Sequence, residues 1–184
     1  MIGFLRGDES DYEYQWMSKN GVHVELHTRL VSEVHKELHD VFGDGWQYAQ
    51  KTDKEYEYRF SREDFYVYTF AHFSKHYKKS GVGIRHLVDL CVLPLKWTDL
   101  DFEYIDRQLD LLYLRKFHGN TRQALSVLFD DAPTDSVSEK IIDKVLSGGA
   151  FGSIETLDSS NAIRRVQSGR GRFGYLLPVF WIVR

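Results

Sequence analysis

The chain has 184 residues, 42% of them hydrophobic and 28% charged, with a net charge of −3. That length can build one good core, and the slight acidity excludes a protein whose main task is gripping a phosphate backbone. The single cysteine, Cys91, leaves no internal disulfide, and no Cys/His set has structural zinc spacing.

The N-terminal MIGFLRGDESDYEY is too polar for a signal peptide, and no apolar run approaches the roughly 18 residues of a membrane span. The expectation is a cytoplasmic protein with no membrane partner. The one basic run, Arg164 to Arg172, contains Gly169 and Gly171 and reads as a solvated loop.

Strand patterns come first along the chain. YEYQWMS and GVHVELHT read as two strands joined by Asn20-Gly21, a dipeptide suited to tight hairpins. In the second strand Val22, Val24 and Leu26 form an apolar face, and His23, Glu25 and His27 lie on the other. LVSEVHKELHDVFG predicts a short helix closed by Gly43, and EYEYRF (Glu55 to Phe60) a third strand.

Helical patterns follow. Ser61-Arg62-Glu63-Asp64 has capping-box spacing and predicts a helix to about Lys79, stopping at Gly81. GIRHLVDLCVL predicts a second helix ended by Pro94. Thr98 or Asp99 is expected to cap a long helix that stops near Gly119. TRQALSVLF and SVSEKIIDKVL predict two more, the latter closed by Gly148-Gly149. Strands followed by helices predict an α+β fold, with a partial mixed or antiparallel sheet at the N-terminus and then a helical bundle. The expected divisions are 1–60 for the sheet, 61–150 for the bundle and 151–184 for a C-terminal tail packing on it.

Three groups of residues carry chemistry. His72 and His76, four apart in HFSKH, share a helix face and suit one zinc. The metalloprotease motif needs Glu directly after the first His, and Phe73 stands there. The same face suits a phosphate or polar substrate, with Lys75 or His76 as donor, and equally suits plain packing. Arg85 and Asp89 are an i,i+4 pair that reads as an ion pair or as an arginine pointing into a cleft. The His23, Glu25, His27 face reads as a solvated strand or as a metal site.

Taken in order, VELH on a strand, EDFYVYTFAHFSKH, GVGIRHLVDL and LSGGAFG resemble segments of a bacterial nucleotidyltransferase-like family in the polymerase-β-type superfamily. The resemblance covers about residues 12 to 152. It implies transfer of a nucleoside monophosphate from an NTP to an acceptor, with carboxylates holding Mg²⁺. Glu25 matches the third metal carboxylate of such enzymes. His27, Lys75, His76 and Arg85 are then the implied nucleotide or acceptor contacts.

The family's first carboxylate pair has no counterpart that fits. Asp11-Tyr12-Glu13 has the spacing without a Gly-Ser turn before it, and Gly152-Ser153 resembles the turn without an acidic residue beyond Asp158. The expectation is therefore a chain lacking the first metal strands and inactive alone, with 1–60 a remnant of the catalytic sheet and a companion polypeptide supplying the rest. YLLPVFWIVR resembles the family's last apolar segment.

Two readings of other classes stand beside this one. The first is a non-catalytic binding or regulatory module that works with a partner chain. The second is a metal protein built on His23, His27, His72 and His76.

Overall fold

The computed structural model describes residues 4–9, 13–18, 23–33, 35–79, 81–150 and 152. They form an α+β protein, with two small antiparallel sheets followed by mostly helical structure. The described residues fall into two compact units, one within 1–61 and the other beginning at Arg62. The expected tail and its YLLPVFWIVR segment lie outside the described residues, as does the Asn20-Gly21 turn.

In the first unit, β1 (Phe4–Glu9), β2 (Glu13–Ser18) and β3 (His23–His27) form an antiparallel sheet in that order. Strand β1 is absent from the sequence reading, because FLRGDE holds only two apolar residues and a glycine and so shows no alternation. The pairing of β2 with β3 sets Gln15 opposite Glu25 and Trp16 opposite Val24. The apolar face of β3 is shallower than its alternation suggests: Val24 is half-buried and Leu26 is 40% exposed. A three-stranded sheet of five- and six-residue strands covers little of its own surface.

Helix α1 (Lys36–Phe42) ends at Gly43, whose φ of +54° is open to glycine and strained for other residues. The expected third strand shrinks to β5 (Tyr58–Arg59), which pairs with β4 (Gln50–Lys51). The turn between them is fastened by a buried carboxylate. Glu57 accepts from Lys54 Nζ at 2.9 Å and lies 2.6 Å from Arg59. The hydrogen bond from Lys54, aided by Arg59, holds the Glu57 carboxyl below its ordinary range.

The second unit contains α2 (Arg62–Lys79), α3 (Ile84–Lys96), α4 (Phe102–Leu111), α5 (Arg115–Phe129) and α6 (Ser136–Ser147). Helix α2 packs on α3 and α4, α4 on α5, and α5 on α6. Seven of nine successive α2 residues, Tyr66 to Ser74, are buried, so this helix is covered on several sides rather than along one stripe. Phe70, Phe73, Leu87, Leu90, Ile105, Leu109, Leu114 and Val145 are almost wholly inaccessible and make the core. Asp64 ties α2 to α4 by accepting from Tyr104 Oη at 2.6 Å.

Three sequence expectations are corrected here. Pro94 does not end α3, which continues to Lys96. So close to the C-terminus a proline forfeits one intrahelical hydrogen bond and disturbs only the last turn. The expected long helix is two helices, and Asp101 rather than Thr98 or Asp99 caps α4, accepting from Tyr104 N at 2.9 Å. The break falls at Leu112 to Leu114, where Tyr113 has φ +55°. It lets Leu112 and Leu114 both reach the core at 2% exposure, with Tyr113 left outside at 89%. Gly119 lies within α5 and stops nothing.

Candidate functional site

The second unit gathers three imidazoles. Helix periodicity brings His72 and His76 to the same face of α2, and their rings stand 4.5 Å apart between centroids. The chain leaves α2 at Lys79, turns through Gly81 at φ +85°, and starts α3 at Ile84. In its first turn α3 offers His86, whose ring stacks at 6.0 Å from His72 and tilts at 5.3 Å from His76. One ligand nitrogen from each of the three can be chosen so that all lie within 4.8 Å of one another. All three side chains are half-buried.

Two glycine-rich segments hold His86 there. The turn after α6 presses backbone to backbone against the start of α3. Ile84 N donates to Gly149 O at 2.9 Å and Arg85 N to Ala150 O at 3.3 Å. A Cβ at Gly148 would meet Val82 O at 1.9 Å, and one at Gly152 would meet Gly81 O at the same distance. GVG and GGAFG, two segments that carry the family resemblance, are thus the halves of one joint. The joint also uses up two N–H groups at the α3 N-terminus, which cannot then serve a phosphate. Gly152, which looked like a Gly-Ser turn before a metal strand, has this packing role instead.

Charges next to the cluster are mixed. Arg85 Nε lies 3.9 Å from Asp89 Oδ2, so the pair expected from the i,i+4 spacing is present as a long, half-buried contact. Lys75 is half-buried on α2. Burial pushes His86 below its ordinary range, opposed by a contact of its Nδ1 with Gly83 O at 3.4 Å and by Asp89. A neutral ring with Nδ1–H directed at that carbonyl leaves the Nε2 lone pair for a ligand.

Another buried histidine has a different character. His118 on α5 is 2% exposed, and its Nε2 lies 2.9 Å from Tyr66 Oη. Burial raises Tyr66 to about 12 and, with Arg122 adding to it, lowers His118 to about 4. Tyr66 therefore keeps its proton and the His118 ring stays neutral, the two sharing one hydrogen bond, with Nδ1 3.9 Å from Asp106. Packed against Phe70 and Tyr66, this is a satisfied core histidine.

In the first unit, Glu25 stands at the middle of β3 and His27 at its end, where His27 is half-buried opposite Glu13. Glu13 itself is the first residue of β2. A carboxylate oxygen suits Mg²⁺. The three imidazoles do not, since nitrogen donors select other metals. The sequence reading had His72 and His76 but not His86. Its only signal was a histidine one residue after Arg85 in a short apolar helix, and nothing local says which way such a ring turns.

The Glu-Leu-His strand and the paired His and Arg-Asp helices are segments on which the resemblance to nucleotidyltransferases rests. A family described as uncharacterised nucleotidyltransferase matches residues 2–130, and the chain belongs to that family. No curated protein and no solved structure matches it. Among the described residues no helix is long and apolar enough to cross a membrane.

Proposed function

We propose that this protein takes part in transfer of a nucleoside monophosphate from an NTP to an acceptor, with Glu25 as a carboxylate ligand for Mg²⁺. The observation that carries the reading is the family match over residues 2–130, which includes the Glu25 strand, the His72–His76 helix and the Arg85–Asp89 helix. Arg85, Lys75 and His27 are proposed as contacts to phosphate or acceptor. Guanidinium and ammonium groups supply the charge-assisted donors that phosphates need.

A single carboxylate cannot hold two cations, so the chain is proposed to be inactive alone, with a companion polypeptide providing further carboxylates. Bound at Glu25, Mg²⁺ would supply charge neutralisation at the phosphates. The chain's own residues orient the nucleotide.

The test is calorimetric titration of the 184-residue chain with ATP, GTP, CTP and UTP, each with Mg²⁺, repeated with Glu25→Ala and Arg85→Ala. Each substitution should weaken binding about 10- to 100-fold, as loss of a charged interaction of roughly 1.5–3 kcal/mol implies. Binding that is indifferent to Mg²⁺ and to Glu25→Ala removes the proposed metal role. No binding by a folded chain favours the other reading, a binding or regulatory module whose nucleotide site resides on its partner.

A further inference from the structure

We propose that His72, His76 and His86 together bind one divalent transition-metal ion of the zinc class, at a site additional to any Mg²⁺ used with a nucleotide. The three rings come from two helices, His72 and His76 from α2 and His86 from α3, and their ligand atoms already lie within 4.8 Å of one another. Tetrahedral zinc with Zn–N bonds of about 2 Å spaces its nitrogens about 3.3 Å apart. The change needed is about 1.5 Å at most, which side-chain rotation of half-buried rings can supply without moving a helix.

The donor set decides the metal. Three neutral imidazoles suit Zn²⁺, Ni²⁺ or Cu²⁺, whereas Mg²⁺ requires oxygen ligands. His86 is set up as a ligand is, with Nδ1 directed at the Gly83 carbonyl and Nε2 left for the ion. Its position does not depend on the metal, because the α3 N-terminus is fastened to the Gly149 and Ala150 carbonyls. Without a metal, three rings in this arrangement would repel one another if charged. A shared ion turns that crowding into three favourable bonds.

Three protein ligands leave a fourth tetrahedral position, the pattern of zinc sites open to an exogenous ligand. A water or an anionic oxygen fits there. The site differs from the histidine set expected from sequence, since its third ligand is His86.

The experiment uses tag-free protein stripped with EDTA and contains no nucleotide, so its outcome is independent of the NTP titrations. Co²⁺ is added first and its d–d absorption recorded, and Zn²⁺ is then titrated in competition with a chromophoric chelator. One equivalent should bind, with the intense visible bands of tetrahedral cobalt, displaced by Zn²⁺ and not by excess Mg²⁺. His76→Ala and His86→Ala should each weaken Zn²⁺ binding by more than the ~100-fold upper range seen when an outer-shell partner is lost. His39→Ala, on α1, should leave it unchanged. If an alanine variant loses its helical circular dichroism, His86→Gln keeps the volume and tests the same ligand. Absence of binding to the wild type, or equal binding by wild type and by folded His76 and His86 variants, overturns the proposal.

Discussion

Acidification from pH 7.5 to 5 should weaken the fold through one core side chain, His118. Its pKa of about 4 lies below the 6.5 of an exposed histidine, chiefly because burial disfavours the charged ring. The unfolded chain then takes up a proton that the folded chain refuses. Stability from this group is whole above pH 6.5 and is lost as the pH falls from 6.5 toward 4. Those two values correspond to a loss of about 2 kcal/mol at pH 5 and about 3 kcal/mol at pH 4.

The assay is urea unfolding followed by circular dichroism at pH 7.5, 6 and 5, for the wild type and for His118→Gln. Glutamine keeps an acceptor for Tyr66 and cannot titrate. Subtracting one protein from the other cancels the carboxylates and the other histidines. The wild type's advantage over the variant should shrink by about 2 kcal/mol between pH 7.5 and 5. A difference that stays constant across this range would refute the assignment of His118 as a buried neutral ring.

Tyr66→Phe removes the hydrogen-bond partner of His118 Nε2 and leaves a buried polar atom unpaired, which should cost about 1–3 kcal/mol in the same unfolding assay. Two glycine substitutions should have opposite signs. Gly148→Ala sets a methyl against the Val82 carbonyl and should destabilise by about 1–3 kcal/mol, whereas Gly119→Ala, in open space on α5, should stabilise by about 0.5–1 kcal/mol. Thermal melts of both variants beside the wild type give the comparison. A Gly148→Ala variant that melts no lower than the wild type would mean that the 81–83 and 148–152 segments do not approach as described.

Much of this protein is written in local pattern. Gly43 and Gly148-Gly149 end α1 and α6 where the sequence placed them, and β2 and β3 lie within the strands read from YEYQWMS and GVHVELHT. Those features depend on residues within one turn or one strand, where backbone sterics and side-chain period act directly. Local pattern misled between Asp99 and Gly119, since helix propensity alone runs straight through LDLLYLRKF. The break there follows from burying Leu112 and Leu114 together, a demand that arises only once a core exists.

The candidate site divides the same way. Spacing alone paired His72 with His76 and Arg85 with Asp89, because an i,i+4 relation needs only a helix. That His86 joins the first pair, and that His118 is instead a neutral core residue, depends on how α2, α3 and α5 pack. Side chains distant in sequence come within reach only through that packing. The two glycine segments show the distinction most clearly. As sequence, GVG and GGAFG mark helix boundaries and a resemblance; in the folded chain each lacks side chains where the other's backbone must pass.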